Sequence, residues 1–188
     1  MAGILLPKQK HMSKKWNADI MFPTDNDYQN RIVGAKFAPS NSGTPMVTLE
    51  LEVVAPSTKE VNGEEYDIVG VKAKYYISCA PKDEEATAQQ KADMKERALK
   101  TFKDLGMDEA EINWDNINVD SLKGKIVYTQ MNSRVDEQRK TPTTAQLNDP
   151  ANKGKHPNAI GEIMKHPVTN KKLVKYWPQI VEIYGIVG

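Results

Sequence analysis

The sequence contains little of the chemistry on which most enzymes depend. Of its 188 residues, only one is cysteine and three are histidine. A single cysteine, Cys79, excludes an intrachain disulfide and a thiolate zinc cluster within one chain. Cys79 lies in an apolar, strand-like segment with no histidine or cation close in sequence, so we expect a small buried side chain and not a reactive thiol.

Long apolar runs are also absent. The longest, such as residues 1–6, fall far short of the roughly 18 residues that a membrane-spanning helix needs. Lys8 and Lys10 follow that run instead of preceding it, so a secretory signal peptide is not expected. With 27% charged residues and a mean hydropathy of -0.62, the composition is typical of a globular protein with one domain. We therefore expect a cytoplasmic protein with no membrane partner.

Recognised catalytic signatures are missing as well. The histidines have no zinc-ligand spacing, and the chain contains neither a phosphate-binding glycine loop nor a nucleophile elbow. Six carboxylates between residues 104 and 120 leave open a two-metal nuclease centre, although a solvated acidic loop is the simpler interpretation. The sequence thus predicts a protein that is not an enzyme and needs no metal or cofactor.

Charge of one sign is not in excess overall, because the formal net charge is +1. The charges are nevertheless divided along the chain. Residues 1–44 carry six Lys and Arg against three Asp and Glu, residues 45–133 carry eleven against seventeen, and residues 134–188 carry nine against five. The two ends are basic and the middle is acidic, which leaves a polyanionic partner open.

Alternating apolar and polar residues predict three successive antiparallel strands. The first covers residues 28–37, and the turn-rich segment 38–45 connects it to a second strand at 46–54. A hairpin-type connection containing Asn62 and Gly63 then leads to a third strand over residues 66–78. The three strands form a meander.

The remaining elements are one helix and two further strands. A three- and four-residue apolar period predicts a helix of about 20 residues from residue 88, with Asp83 to Glu85 at its positive end and Gly106 ending it. A fourth strand is expected over 122–133 and a closing strand over 173–187, broken by Pro178. Between them lies a long loop at 134–171.

This order of elements is that of the oligonucleotide/oligosaccharide-binding (OB) fold. The expected fold class is mainly β: a five-stranded Greek-key barrel with one α-helix between strands 3 and 4 and a long basic loop between strands 4 and 5. The expected single domain, residues 1–188, comprises an N-terminal arm (1–26), the barrel (27–133 and 172–188) and a basic flap (134–171).

Four local stretches sharpen the comparison: Tyr28-Gln-Asn-Arg-Ile, Ser42-Gly-Thr-Pro-Met-Val-Thr-Leu-Glu-Leu-Glu-Val, Phe102-Lys-Asp-Leu-Gly and Asp120-Ser-Leu-Lys-Gly-Lys-Ile-Val. Over residues 26–133, and more loosely 173–187, the chain resembles phage-encoded single-stranded DNA-binding proteins with one OB barrel. The resemblance implies sequence-independent binding and protection of single-stranded DNA during phage DNA replication or recombination, in the cytoplasm of an infected bacterial host. It also implies phage replication or recombination proteins as further partners.

Two other functions stay open beside this one. The same barrel could serve as a protein-interaction or virion-structural module, or as a recombinase that anneals complementary strands. Stable self-assembly without DNA would indicate the module, and faster annealing would indicate the recombinase.

Candidate binding residues follow from what single strands require, namely cations for phosphates and aromatic faces for bases. On the third strand, Lys72, Lys74 and Tyr76 lie opposite the apolar face, on what is the nucleic-acid face of strands 2 and 3 in OB barrels. The alternative is cross-strand pairing, because a hairpin centred near residue 61 places Glu50 opposite Lys72 and Glu52 opposite Gly70.

The basic flap and its borders supply the other candidates. A basic loop can wrap a strand and become ordered on binding. Tyr176 and Trp177 follow the basic run directly, with burial in the last strand as the alternative for either ring. Tyr128 and Met131 differ in parity, so one is expected to be buried and the other to face outward. The remaining flap candidates are Arg134, Arg139, Lys140, Lys153, Lys155, Lys171, Lys172 and Lys175. Trp16, beside Lys14 and Lys15, is expected to anchor the core.

Overall fold

Two β-sheets make up most of the protein, whose computed structural model describes residues 13–41, 43–81 and 86–188. The expectations for the first twelve residues of the N-terminal arm, and for Asp83 to Glu85 at the helix start, lie outside the described residues. The expected mainly β class is confirmed.

The strands, in chain order, are β1 (Lys14–Lys15), β2 (Asp25–Pro39), β3 (Pro45–Ala55), β4 (Thr58–Val61), β5 (Glu64–Asp67), β6 (Lys72–Ser78), β7 (Ile126–Glu137) and β8 (Val174–Ile186). The α-helices are α1 (Ala88–Asp104), α2 (Thr144–Asn148) and α3 (Pro157–Ile160). Short 3-10 turns occupy Glu109–Glu111, Asp120–Leu122 and Pro150–Asn152. Among the described residues, no helix has both the length and the apolar character needed to cross a membrane.

The larger sheet has the strand order β6-β3-β2-β7-β8, and all its neighbours are antiparallel. The antiparallel pairing predicted for the meander is present between β2, β3 and β6, although β4 and β5 intervene between β3 and β6 along the chain. Helix α1 follows β6 and precedes β7, as expected. The sheet is not a closed barrel, because β6 and β8 form its two edges. The alternation of strand directions makes these edges parallel to each other, and they lie side by side.

The smaller sheet, in the order β1-β5-β4, was not expected. Asn62 and Gly63 both take positive φ angles, +54° and +79°, and make the predicted tight turn, but this turn joins β4 to β5. The single strand predicted over 66–78 is wrong: the chain turns at Gly70, with φ of +80°, and separates β5 from β6. The inserted hairpin also makes the predicted register wrong by two residues. Glu50 lies opposite Lys74 and Glu52 opposite Lys72.

The core lies on the inner face of the larger sheet and is covered by α1. Strict alternation on β3 buries Val47, Leu49, Leu51 and Val53 completely. Helix α1 begins with a capping box between Thr87 and Gln90. Beyond its end, Gly106 takes the predicted left-handed conformation with φ of +70°.

Two predictions about single core residues are confirmed. Cys79 is 8% exposed, and burial raises the pKa of its thiol, so it is a packing residue. Trp16 packs against the core, with its ring edge-on to Phe22 at a centroid distance of 5.4 Å. The backbone N–H of Phe22 donates to Ser133 of β7 at 3.1 Å, which attaches this part of the arm to the larger sheet.

The flap boundaries differ from those predicted. Strand β7 continues through Arg134 to Glu137 and pairs with β8, so the loop is four residues shorter at its start. The loop itself contains α2, α3 and two isolated bridges, Arg139 with Ile163 and Lys165 with Lys172. Pro178 does not break β8, because a strand at the edge of a sheet tolerates a proline without an N–H to donate.

An ion-pair cluster attaches the β4–β5 hairpin to β2. The Nζ atom of Lys59 donates to Asp25 at 2.5 Å and to Asp27 at 2.9 Å, and it lies 5.3 Å from the ring centroid of Tyr28. The hydrogen bond from Lys59, followed by the backbone N–H of Asn26, lowers the pKa of Asp25 below its ordinary value of 3.8. The contribution of Asp25 to the cluster therefore depends on its ionisation.

We expect the stabilisation from Asp25 to depend on pH. Since the folded-state pKa is lowered, the contribution is present above about pH 4 and is lost as the pH falls through the folded-state pKa. D25N should therefore lower the free energy of unfolding at pH 7 and should lose this effect in acid. Urea unfolding at both pH values measures it. E96Q, at an exposed position of α1 without a described ion pair, is the control, and an effect of D25N that is equal at both pH values would contradict the prediction.

Candidate nucleic-acid interface

The two edges of the larger sheet enclose a groove of about 520 Å³. It is formed where β6 and β8 lie side by side without a hydrogen-bonded ladder between them. The polar and aromatic residues that line it are Lys74, Tyr75, Tyr76, Asn132, Arg134, Trp177 and Gln179. Four of these, Lys74, Tyr76, Arg134 and Trp177, are among the candidates predicted from sequence, and the fold brings them together.

Strand periodicity explains why the two aromatic rings face outward. On β6, Ala73 and Ile77 are buried, so Tyr76 points to the opposite face and is 54% exposed. On β8, Trp177 is 45% exposed and lies opposite Arg134 of β7. Burial in the core, the alternative left open for Trp177, is therefore wrong. Both rings offer surface on which an unpaired base can stack.

The cations of the groove hold only weak partners. Lys74 Nζ lies 3.4 Å from Glu50, and Arg134 lies 3.5 Å from Asp136, with all four side chains more than half exposed. Ion pairs in such positions contribute little to stability. Either cation can thus exchange its carboxylate for a phosphate at low cost. Lys72 projects from the same face of β6, opposite Glu52 and without an ion pair in the described structure.

Two further exposed aromatic residues lie on the outer face of β7 and β8. Tyr128 is 41% exposed and Met131 is fully buried, which settles the parity question that the sequence left open. Regular alternation on β7 places Tyr128 on the same face as Arg134. Tyr184 is 44% exposed, and its hydroxyl donates to Gln130 Oε1 at 3.2 Å. The aromatic surface thus continues beyond the groove.

Tyr184 was missed by sequence reasoning because β8 is irregular. Its register against β7 shifts twice, once between Gln130 and Met131 and once between Tyr128 and Thr129. Each extra residue in a bulge reverses the parity of the positions that follow. Counting every second residue from Trp177 therefore does not identify Tyr184 as facing outward, and no local sequence signal marks the bulges.

Most flap cations are engaged within the flap or with the arm. Arg139 donates to the carbonyl oxygens of Ala159 and Gly161 and lies 3.6 Å from Glu137, so it holds the flap together. Three lysines have carboxylate partners: Lys140 with Glu162 at 3.0 Å, Lys172 with Glu137 at 2.5 Å and Lys175 with Asp19 at 2.6 Å. Lys172 also lowers the pKa of Glu137.

The other predicted flap residues do not reach the groove in the part of the chain that the structure describes. Lys155 donates to Asn152 at 3.2 Å, whereas Lys153 and Lys171 make no described ion pair. Tyr176 is half-buried, lines a separate pocket beside Ile20, and its backbone N–H donates to Ala18. Tyr176 thus lies beside the arm, outside the groove and outside the described core cluster.

Among the described side chains of residues 104–120, no group of acidic residues could hold a metal ion. Within residues 13–41, 43–81 and 86–188, no three His, Cys, Asp or Glu side chains are arranged to hold a metal ion. Asp120 pairs with Lys123 at 2.8 Å, and Glu109 pairs with Lys103 at 2.7 Å.

No protein-family model and no curated protein matches this chain. The groove, with its two exposed rings between two weakly paired cations, is the strongest candidate site.

Proposed function

We propose that the protein binds single-stranded DNA through the groove between β6 and β8, largely independently of sequence, and protects it during phage DNA replication or recombination. The observation that carries the proposal is the meeting of Tyr76 and Trp177 with Lys74 and Arg134 in one groove. Each ring can stack on a base, at about 1–3 kcal/mol, while each cation neutralises a phosphate.

Single strands suit this site better than duplex. Every base has an aromatic face, so stacking on Tyr76 and Trp177 requires no particular sequence. In a duplex those faces are covered by neighbouring base pairs and must be unstacked first. The polar groups of Asn132 and Gln179, which also line the groove, add adaptable hydrogen bonding around the bases.

We further propose that the larger sheet is a partly open OB barrel. Numbered along the chain within this sheet, the strands have the order 3-2-1-4-5, with α1 between the third and fourth. The first and fourth are neighbours, and the third and fifth lie side by side, which is the neighbour relation of a five-stranded Greek-key barrel. The groove then occupies the seam where the barrel stays open.

Fluorescence-anisotropy titration with labelled single-stranded and duplex oligonucleotides tests the function. We expect tighter binding to the single strand. If Lys74 and Arg134 each neutralise one phosphate, a plot of the logarithm of the binding constant against the logarithm of salt concentration should have a slope of about -1.4 or steeper.

Four results would contradict the proposal or redirect it. An affinity that does not change with salt, or equal affinity for duplex, would count against the groove as a single-strand site. Stable self-assembly without DNA and no binding at low salt would favour the protein-interaction or virion-structural module. Acceleration of annealing far beyond that expected from passive coating would favour the recombinase.

A further inference from the structure

A short two-stranded hairpin projects from the flap just before β8. We call residues 165–172 the basic hairpin. Its ends are joined by the bridge between Lys165 and Lys172, and the His166 N–H donates to the Lys171 carbonyl at 2.8 Å. At its base, the Gln138 N–H donates to Leu173 and the Met164 N–H donates to Gln138, so the end of β7 supports both of its strands.

The charges of the basic hairpin are arranged unfavourably for the protein alone. Lys165 and Lys172 lie directly opposite each other, and like charges in that position destabilise a β-pair. Lys172 is compensated by Glu137 at 2.5 Å. Lys165 and Lys171 make no ion pair with any residue that the structure describes. Two cations are thus left for an anion from outside.

The tip of the basic hairpin exposes one large apolar side chain and is held by local hydrogen bonds. Val168 is 86% exposed, the largest exposed fraction among the exposed large apolar side chains of the described structure, and it follows Pro167. His166 Nδ1 accepts hydrogen bonds from the Val168 and Thr169 N–H groups at 3.3 and 3.2 Å, and Asn170 takes a left-handed φ of +54°. A fixed turn therefore presents an aliphatic side chain between free cations.

The position of the basic hairpin relates it to the groove. The chain passes from Lys172 directly into β8, and Trp177 lies five residues further on. At about 3.3 Å per strand residue, the two are roughly 17 Å apart along the chain direction. A nucleic-acid strand that leaves the groove toward the start of β8 would meet the basic hairpin within a few nucleotides.

We propose that the basic hairpin contacts the junction at which a single strand bound in the groove enters a duplex. Lys165 and Lys171 bind duplex phosphates, while Val168 presses against the terminal base pair. Small apolar side chains act as wedges between base steps in proteins that unstack DNA. Val168 has no aromatic ring on which a base could stack, so its side chain is better suited to insertion at a base step than to stacking. This inference rests on the proposed function, because the groove supplies the strand that leads to the junction.

The test compares a single strand with a duplex that carries the same single strand as a tail, with 2-aminopurine in the terminal base pair. We expect the wild type to bind the tailed duplex more tightly and to raise the 2-aminopurine fluorescence. With two additional phosphate contacts, this advantage should fall about tenfold between 50 and 200 mM salt. V168S should abolish the fluorescence rise, and the double variant K165Q/K171Q should abolish the additional salt dependence.

Matched controls separate the basic hairpin from the rest of the flap. L147S removes another exposed apolar side chain, and K153Q removes another lysine without a described ion pair, both outside the hairpin. Neither should change the junction advantage, and no hairpin variant should alter affinity for the single strand alone. Single-strand binding without a junction advantage, or an advantage that survives V168S and K165Q/K171Q, would overturn the inference alone. Absence of single-strand binding by the wild type would overturn the proposed function as well.

Discussion

Replacing Trp177 by alanine is expected to weaken binding to single-stranded DNA by about 5- to 150-fold, which corresponds to the loss of one base stack. Y76A should have an effect of similar size. Both side chains are about half exposed and lie outside the buried core, so neither change should lower the free energy of unfolding much. Because both rings line one groove, the double variant W177A/Y76A should have the largest effect on affinity.

The control variants are chosen to separate stacking from other consequences of substitution. W177F keeps an aromatic face and should retain most of the affinity, whereas V69A removes an exposed apolar side chain that does not line the groove and should have no effect. Anisotropy titration measures affinity, and circular dichroism and urea unfolding confirm that each variant is folded. Unchanged affinity in W177A/Y76A would exclude the groove as the binding site.

The strands that follow simple alternation could be predicted from the sequence. On β3, every second residue from Val47 to Val53 is apolar and buried, so that periodicity alone identified the strand and its inner face. The same reasoning placed Tyr76 outward on β6. The reasoning failed on the register between β3 and β6, because β4 and β5 form a separate hairpin within the connection between these two strands. The turn at Gly70 cannot be recognised by counting apolar residues.

Contacts between distant residues explain why the site could be predicted only in part. Lys175 pairs with Asp19 and Lys172 pairs with Glu137, across 156 and 35 residues of chain, so the excess of basic residues in the flap does not show which lysines are free. The open seam between β6 and β8 is likewise a property of the whole sheet. Tyr176 and Trp177 were both predicted to bind because they are adjacent in sequence. Adjacent residues of a strand point to opposite faces, and only Trp177 lines the groove.

Helix α1 connects the stability of the fold to the geometry of the groove. It packs against both β6 and β8, the two strands whose edges form the groove. Lys100 of α1 lies 3.4 Å from Glu182 of β8, and burial raises the pKa of Tyr75 of β6. The helix thus contacts both edges, although no hydrogen-bonded ladder joins them.

F102A is therefore expected to destabilise the protein and to weaken DNA binding together. Phe102 is fully buried on α1, with its ring centroid 6.2 Å from that of Trp114, and truncating a buried Phe typically costs about 3–5 kcal/mol. Against a typical total of about 5–15 kcal/mol, this is a large fraction of the free energy of unfolding. Urea unfolding followed by circular dichroism measures the loss.

Measuring DNA binding by F102A tests whether α1 determines the separation of the two strands that form the groove. K91A, an exposed position on the same helix, is the control and should change neither stability nor affinity. If the helix fixes the separation of β6 and β8, F102A should lower affinity for single-stranded DNA under conditions in which the variant is still folded, because Tyr76 and Trp177 are then held less rigidly. A destabilised but folded F102A with unchanged affinity would show that the two edges keep their separation without the helix.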